Sequence, residues 1–372
     1  MKHEHEKAVK EKRRLAQKLS LELLGPIIGK MPKSSIESLE KLSYLPKIQR
    51  HILDIIQVAD PRVVRHDLKA AFPPFIRTEA AFGKRNLYLL KDAVVSPDSG
   101  MVWIGNRILE ESVGSLRRIM DWGDMLHEPL LPVSELKSDE PVVVCPPAAG
   151  YYHWLLEVLP NLLFALSRFP EVKIVLPENS PAYVMDGLSM ILGPEAADRF
   201  IFCSTPLKVR NLVMPQYLTA PEFTSPQVID LLKSQVKPKV VAEETSGVPA
   251  SGTKLYISRR KSRRRRLLGE EELERKLQEK GFSILHLEGV SFQEQIRIFH
   301  QADTVVSTHG AGLSNLVWSE PPCRVIEIFP KNYILDCFAW LSFSQGFDYR
   351  YVICSTGHKI DDEAMAAVLR QL

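Results

Sequence analysis

The sequence predicts an α/β protein built from two halves, each with its own sheet. From Pro141 onward, short apolar runs alternate with helix-length segments, which is the pattern of parallel strands joined by helices. A polar stretch containing Pro and Gly at 236–253 interrupts this alternation. The 372 residues also exceed what one hydrophobic core usually fills. We therefore expect an α/β domain at 81–240, a second one at 254–372, and a helical basic extension at 1–80.

The first half is expected to begin with a β-meander and to continue as a βα alternation. The Ser-Pro-Asp-Ser-Gly segment at 96–100 predicts a turn between two meander strands, and Pro170 ends the first long helix. Strands are expected at 86–90, 93–96, 101–104, 107–109, 142–145, 173–176, 200–203 and 209–214, and helices at 151–169 and 182–192.

The second half repeats the alternation with clearer helix signals. Gly281 stands where a helix would end, and Ser291 with Glu294 has capping-box spacing. Two such Rossmann-like halves imply a cleft between them, and ligands of these sheets bind beyond the carboxyl ends of the strands. Strands are expected at 254–258, 282–287, 304–308, 325–329 and 349–354, and helices at 270–280, from 292, near 334–343 and from 361.

Composition excludes several classes of protein. With 45% hydrophobic and 25% charged residues, the chain is ordinary for a soluble globular protein. Its five cysteines are an odd number and form no CxxC pair, which argues against a disulfide framework and a zinc knuckle. Buried thiols are the expected state of Cys145, Cys203, Cys323, Cys337 and Cys354.

The N-terminal segment favours a soluble, cytoplasmic protein. Residues 1–18 are charged throughout, unlike a signal peptide, and the apolar stretch 19–31 is interrupted and too short to span a bilayer. Residues 1–50 carry 12 Lys or Arg against 6 Asp or Glu, which fits a solvent-facing helix or a peripheral contact with an anionic membrane surface. Helices over 20–60 are predicted from the spacing of Ile48, Ile52, Ile55 and Ile56.

A glycine-rich turn follows the strand predicted at 304–308 and precedes a helix at 313–318. Gly310 and Gly312 flank Ala311, so backbone N–H groups can approach a ligand closely. The N-terminus of the following helix then favours an anion. His309 is a candidate contact for a phosphate or a sugar; the alternative is a steric strand–helix corner capped by histidine.

A run of basic residues follows the strand predicted at 254–258. Residues 254–266 carry eight Lys or Arg and no acid. Because arginine can pair bidentately with a diphosphate, Arg259 and Arg266 are candidate ligand contacts, whereas 263–265 fit a solvent-facing run as well. The alternatives are a nucleic-acid patch and a solvated charge run.

Two further parts of the sequence contain candidate functional residues. His153 lies in the first turn of the helix predicted at 151–169, and Glu157 stands one helical turn later, where it can orient the imidazole as a general base. The alternative is a histidine packed under Trp154. Glu327 lies inside an apolar strand and needs a partner, either a ligand hydroxyl or an arginine of this chain.

The motifs together resemble a known family. In order along the chain they are Tyr256-Ile257-Ser258-Arg259-Arg260, Glu270, Ser291-Phe292-x-Glu294-Gln295, His309-Gly310-Ala311-Gly312-Leu313-Ser314-Asn315 and Val325-Ile326-Glu327-Ile328-Phe329-Pro330. This series resembles the C-terminal signature of glycosyltransferase family 61, including its bacterial capsular polysaccharide biosynthesis members. The similarity is looser over 86–218, where Tyr152-His153-Trp154 resembles the family's His-Trp motif, and absent over 1–80. Gly269 departs from the family, which often has asparagine there, so the following helix is expected to be capped differently.

The resemblance implies a two-domain GT-B fold and an inverting transferase that uses a nucleotide-sugar donor, commonly UDP-linked, in surface polysaccharide biosynthesis. His153 would then be the base that activates a saccharide or lipid-linked acceptor, with Glu157 behind it. A plain DxD motif is absent, so neither a metal nor an obligatory cofactor is expected. Donor contacts are expected from Ser258, Arg259, Arg260, Arg266, His309, Gly310, Ala311, Gly312, Asn315 and Glu327.

Two other functions remain open at this point. One is a nucleic-acid-binding α/β protein that uses the basic run, which the family pattern disfavours and which salt-sensitive binding without sugar transfer would reveal. The other is a different nucleotide-using enzyme, against which stand the missing GxGxxG and Walker A patterns.

Overall fold

The computed structural model describes residues 36–372 apart from 68–71, 114–127, 129–130, 148–149, 218–222, 242–252, 263–265 and 358. The predictions for 1–35 and for the arginines at 263–265 therefore lie outside the described residues. Two main sheets organise the described part of the chain, one of ten strands in the first half and one of five in the second.

The ten-stranded sheet is mixed, because the predicted meander and the predicted βα strands belong to the same sheet. Its main path runs β1-β7-β6-β5-β12-β9-β10-β11, with β2 beside β5 and β8 beside β12, while β3 and β4 form a separate ribbon. The strands to this point are β1 (Ile36–Glu37), β2 (Ile52–Ala59), β3 (Arg62–Arg65), β4 (Glu79–Phe82), β5 (Arg85–Val95), β6 (Val102–Ile104), β7 (Arg107–Leu109), β8 (Ser134–Glu135), β9 (Val142–Val144), β10 (Lys173–Leu176), β11 (Phe200–Phe202) and β12 (Leu207–Pro215).

Parallel pairing joins the strands of the βα part, and it also joins β1 to β7 and β8 to β12. Strands β9, β10 and β11 run parallel, and helices connect them. The long strand β5 instead pairs antiparallel with β12 over most of its length and with β6 through the predicted turn. A meander forms antiparallel pairs because its connections are too short for a crossover.

The helices of the first half cover this sheet. The helix after β9 is continuous but contains a π-helical turn at Trp154–Val158. In chain order the helices are α1 (Leu39–Leu42), α2 (Pro46–Gln49), α3 (Tyr151–His153, Trp154–Val158 and Leu159–Arg168), α4 (Ala182–Leu192), α5 (Pro226–Gln235) and α6 (Pro238–Val241), with 3₁₀ turns at Glu110–Ser112 and Pro194–Arg199.

The helical prediction for the segment before residue 80 is wrong at β2. Ile52–Ala59 pairs antiparallel with β5, with Ile55 opposite Tyr88. The β-branched residues of this segment suit a strand, and the helical spacing of its isoleucines arose by coincidence. Beyond β2, the ribbon β3–β4 and its neighbours lie against the second half, where Arg77 forms an ion pair with Asp336 at 2.7 Å and Phe72 packs on Phe343.

The five-stranded sheet confirms the predicted α/β pattern of the second half. All its strands are parallel, in the order β14-β13-β15-β16-β17. Because β14 and β15 lie on opposite sides of β13, the strand order reverses between β13 and β15, which is where such sheets bind ligands. The elements are β13 (Lys254–Ile257), α7 (Glu270–Glu279), β14 (Ser283–Leu285), α8 (Phe292–His300), β15 (Thr304–Thr308), β16 (Arg324–Phe329), α9 (Cys337–Phe343), β17 (Asp348–Ile353) and α10 (Asp362–Gln371), with 3₁₀ turns at Leu287–Gly289 and Ala311–Trp318.

The predicted helix ends of the second half are also confirmed. The Ser291 hydroxyl accepts a hydrogen bond from the Glu294 N–H at 3.2 Å and caps α8. Before α7, Gly269 adopts a left-handed conformation with φ of 85° and makes no side-chain cap. An added Cβ there would also stand 2.7 Å from the Ile360 carbonyl oxygen, so both space and conformation favour glycine at this corner.

One hydrophobic cluster joins the two halves. Trp154 of α3 packs edge-on against Phe292 of α8, with 5.2 Å between ring centroids, and both side chains are buried. The Tyr151 hydroxyl donates a hydrogen bond to the Asn315 side chain at 2.8 Å across the same contact. The expected cleft is therefore closed at its base by shared core.

The cysteines and the lengths of the helices bear on two further predictions. The five cysteines are free thiols, four of them buried and Cys203 half-buried. Within the described ranges, the helices are too short or too polar to cross a membrane.

Candidate active site

A cavity of about 600 Å³ lies at the predicted ligand edge of the second sheet. Its floor comes from the ends of β13 and β15, and its far wall comes from α3 and α4 of the first half. Neither α4 nor the loop after β14 was predicted from the sequence to line the site. The lining residues are Tyr151, Ala182, Tyr183, Asp186, Ile257, Ser258, Arg259, Ser262, Leu287, Glu288, Gly289, Val290, Ser291, Gln295, Ala311 and Gly312.

Arg259 is held at this cavity by its own backbone. Its N–H donates to Glu270 Oε1 at 2.6 Å, and the same oxygen accepts from the Tyr256 hydroxyl at 3.0 Å. Glu270 is 2% exposed, and burial raises the pKa of its carboxyl group. The carboxylate therefore fixes the start of the basic loop without reaching the cavity.

The guanidinium of Arg259 lies directly over the glycine turn. A Cβ atom built on Gly310 would collide with Arg259 Nη1. The backbone of Gly310 is extended, with φ of 172°, so glycine is required there for space rather than for conformation. The basic loop and the glycine turn are distant in sequence, yet they form one surface in which the Arg259 guanidinium lies over Gly310.

The turn then enters a 3₁₀ helix, Ala311–Trp318, rather than an α-helix. Gly312 lies tightly against the end of β13, since an added Cβ would stand 3.0 Å from Ile257 Cγ2. Ala311 and Gly312 line the cavity. Their position at the start of a helix next to Arg259 gives the cavity an end that suits an anion.

His309 lies beneath this turn and is 3% exposed. Its Nδ1 is 2.5 Å from Glu327 Oε1, and the Tyr349 hydroxyl donates to Glu327 Oε2 at 2.6 Å. The partners of Glu327 are thus a histidine and a tyrosine, neither of which the sequence analysis proposed. Glu327 is fully buried and both of its oxygens are engaged by protein groups, so it supports His309.

Tyr349 was missed because its link to Glu327 depends on the pairing of strands rather than on its own local sequence. It becomes significant only when β16 and β17 pair, which places it on the same face as Glu327. A tyrosine two residues from another in a predicted apolar strand, beside a strand with a buried carboxylate, was the available signal.

A series of aromatic rings connects the two histidines of interest. The His309 ring packs against Phe338, with centroids 5.2 Å apart, and Phe338 packs against Tyr152 at 5.7 Å. Tyr152 in turn contacts His153 at 5.1 Å. His153 of the first half and His309 of the second therefore lie on the same side of the molecule.

The predicted contact between His153 and Glu157 is confirmed. His153 Nδ1 is 2.9 Å from Glu157 Oε1, and the side chains are 32% and 14% exposed. Glu157 lies within the π-helical turn, a feature that often marks functional positions. The imidazole is partly open to solvent, with a carboxylate on its inner side, as a general base requires.

Arg85 stands behind Glu157 and was also missed. Arg85 is 4% exposed. It lies close enough to Glu157 to interact with its charge, and its guanidinium donates a hydrogen bond to the Asn161 side chain at 3.3 Å. Burial lowers the pKa of Arg85 to about 10, and the charge of Glu157 opposes that shift. Arg85 contributes a buried positive charge near the His153–Glu157 pair.

Several predicted donor contacts instead bind the protein itself. Arg260 forms ion pairs with Glu271 at 3.0 Å and Glu274 at 3.5 Å on α7. The Ser258 hydroxyl donates to Glu274 at 2.6 Å, and Arg266 is exposed and bonded to the Ser262 carbonyl. These side chains shape the loop that carries Arg259.

Asn315 likewise has a structural position. It is fully buried, accepts from Tyr151 and donates to Gln295 at 2.8 Å. Its hydrogen bonds join the halves behind the cavity, so direct contact with a ligand is not open to it. Within the described ranges, no three residues among His, Cys, Asp and Glu are grouped so that they could hold a metal ion.

Comparison with known proteins bears on this site. Residues 151–326 match the family described as glycosyltransferase 61, a range that includes both the His153 helix and the glycine turn. The chain is also 33% identical over 63 residues to a β-1,2-xylosyltransferase of rice, Oryza sativa subsp. japonica. That match covers 17% of this chain and 12% of the rice protein. Both findings support glycosyltransferase family 61.

Proposed function

We propose, from the match of residues 151–326 to glycosyltransferase 61, that this protein is an inverting glycosyltransferase that uses a nucleotide sugar. The observation that carries the proposal is the cavity at the reversal point of the second sheet, where Arg259 lies over Gly310. A His–carboxylate pair faces the same side from the first half. In this proposal the second half binds the donor and the first half provides the base.

The donor would lie with its diphosphate at the Arg259 end of the cavity. The guanidinium and the N–H groups at the start of the 3₁₀ helix are the groups that bind phosphate oxygens well. The remaining walls, from Tyr183 to the Leu287–Gly289 turn, would surround the nucleoside. About 600 Å³ is within the range of small-molecule sites. A UDP-linked sugar is our proposed donor.

The reaction would proceed by a single displacement at the anomeric carbon. The acceptor hydroxyl oxygen attacks that carbon, and its proton passes to His153 Nε2. The bond from the carbon to the phosphate oxygen breaks, and the electron pair leaves with the nucleoside diphosphate. Glu157 holds Nδ1–H and stabilises the imidazolium that forms, while Arg259 stabilises the leaving charge.

The domain arrangement, the acceptor and the cellular location of the reaction are proposed as well. We propose a GT-B arrangement in which the first half binds a saccharide or lipid-linked acceptor, within surface polysaccharide biosynthesis of the bacterial capsular type. Cytoplasmic action beside a membrane, through the basic N-terminal segment, belongs to the same proposal.

Ligand-dependent thermal stability tests the donor. We expect one class of nucleotide to stabilise the protein, since a ligand at 100 times its Kd adds about 2.7 kcal/mol. The panel contains UDP, GDP, CDP and ADP with their common sugars, including UDP-xylose because the rice protein is named as a xylosyltransferase. Stabilisation should be lost in Arg259→Ala and kept in Arg275→Ala, an exposed arginine on α7. Absence of stabilisation by every nucleotide contradicts the proposal.

Turnover of the identified donor tests the base. His153→Ala should lower kcat roughly 100-fold or more, because positioned proton transfer contributes about 10² to 10⁴. Stabilisation by the nucleotide should remain, since His153 does not line the cavity. Normal turnover by His153→Ala would remove the residue from the mechanism.

A further inference from the structure

Tyr349 is buried behind the active site and bonded to Glu327. It is 5% exposed, and its hydroxyl donates to Glu327 Oε2 at 2.6 Å. The other oxygen, Oε1, is 2.5 Å from His309 Nδ1. Tyr349, Glu327 and His309 therefore form a continuous hydrogen-bonded chain across β17, β16 and the end of β15.

The direction of this chain follows from its donors. Burial is the main reason that the pKa of Tyr349 lies well above its usual value, so the phenol is a neutral donor. An ionised carboxylate only accepts hydrogen bonds, so Nδ1 of His309 must carry the proton in the pair. Among the described residues, Nε2 of His309 makes no hydrogen bond and lies on the side of the ring away from Glu327.

We propose that Tyr349 is a positioning residue that acts through Glu327 to hold His309 for contact with the leaving diphosphate. This inference rests on the proposed function. His309 immediately precedes the glycine over which Arg259 lies, so it is one residue away from the Arg259 end of the site. The hydrogen bond from Tyr349 keeps the carboxylate oriented, and the carboxylate keeps Nδ1 protonated and the ring fixed.

The chemical role follows from the charge of the partner. When the donor's diphosphate is present, the Glu327 carboxylate stabilises the imidazolium form of His309. Nε2–H then donates a hydrogen bond to the phosphate oxygen that takes the electron pair of the breaking bond. The proton of the acceptor goes to His153, so His309 neither gains nor loses one overall.

Other titratable groups face this chain and enter its pH dependence. Tyr333 packs edge-on to the His309 ring at 5.3 Å, and Arg259 lies over the next residue. Asp336 and Cys337, at the start of α9, are close enough to act on Tyr349. These groups are the same in a Tyr349→Phe variant, so their effects on His309 are common to the variant and the natural protein.

The test is a titration of His309 by NMR in protein labelled with 15N-histidine. His309 is assigned by its absence in His309→Asn. In the natural protein we expect neutral His309 to be protonated at Nδ1. A neutral His309 protonated at Nε2 would overturn the proposal, and this readout needs no variant that might fail to fold.

Variants of the two tyrosines of β17 then isolate the hydroxyl. Tyr349→Phe removes one hydrogen bond from the carboxylate, so the 15N signals of His309 should differ from those of the natural protein. Tyr351→Phe is the matched control, because Tyr351 lies on the same face of the same strand and its ring packs on Phe75. Equal 15N signals of His309 in the two variants contradict the proposal.

Kinetics separate this inference from the proposed function. Tyr349→Phe should lower kcat about tenfold and shift its pH profile, while KM for the acceptor stays unchanged. If the natural protein transfers no sugar from any nucleotide, the proposed function fails, whereas the NMR result still decides whether Tyr349 controls His309. If transfer occurs and Tyr349→Phe has the natural kcat and pH profile, the inference fails and the proposed function stands.

Discussion

At the scale of single residues, the site depends on how closely groups approach one another. Arg259 reaches the glycine turn only because Gly310 has no side chain. His153 and His309 each have a carboxylate at Nδ1, yet one imidazole is partly exposed and the other is almost fully buried. The exposed one suits proton exchange with a substrate hydroxyl, and the buried one suits a fixed orientation.

Gly310→Ala should therefore weaken nucleotide binding with little loss of stability. The new methyl group must displace the guanidinium of Arg259, whose charge-assisted hydrogen bonds to phosphate are worth about 1.5–3 kcal/mol, so Kd should rise roughly tenfold or more. Calorimetric titration with the nucleotide measures this. Gly83→Ala is the control, since a methyl group there meets open space. Equal affinities of the two variants would refute the importance of this contact.

At the scale of elements, a buried carboxylate on α7 anchors the loop after β13. Glu270 accepts hydrogen bonds from the Arg259 N–H and the Tyr256 hydroxyl through Oε1, whereas Oε2 is buried with no partner in the described part of the chain. Burial raises the pKa of Glu270 above 4.5. The loop is thus placed by an acid that is costly to ionise in the folded state.

This cost predicts how stability depends on pH. A carboxyl group with a raised folded-state pKa binds more protons folded than unfolded, so the free energy of unfolding falls as pH rises from about 4.5 through that pKa. Glu270→Gln keeps an acceptor for both hydrogen bonds and removes the titration. Thermal unfolding between pH 4 and 8 should show the variant gaining stability relative to the natural protein as pH rises. Glu279→Gln, exposed on the same helix, should run parallel to the natural curve.

At the scale of the whole molecule, the two halves share one core. Gly187 of α4 lies against Trp154, so that an added Cβ would collide with the indole, and the same indole packs on Phe292 of the second half. Tyr151 and Asn315 add a buried hydrogen bond across the contact. Because the two halves share this core, we expect them to unfold together in one transition.

Gly187→Ala tests this shared core. Overpacking should lower the free energy of unfolding by about 1–3 kcal/mol. Urea unfolding followed by tryptophan fluorescence and by circular dichroism should give coincident single transitions in the natural protein and in the variant. Gly289→Ala, at a position with open space, should match the natural protein. Two separate transitions would show that the halves are independent.

By itself, the sequence determined the second half almost completely. Each of its parallel strands is covered by helices and reads as an apolar run, and local signals such as Ser291 and Gly281 end its helices, so β15 was predicted to the residue. The pairing of His153 with Glu157 was predictable for the same reason, because four residues along a helix fix the distance.

Only the tertiary structure decided the rest. Pairing between distant segments makes the first sheet mixed. Ile52–Ala59 is a strand because it pairs with β5. The approach of Arg259 to Gly310 and the link from Tyr349 through Glu327 to His309 join residues that are distant in sequence. The hydrogen bond of Asn315 joins it to Tyr151, 164 positions away. Such contacts depend on strand order and packing, which local periodicity does not encode.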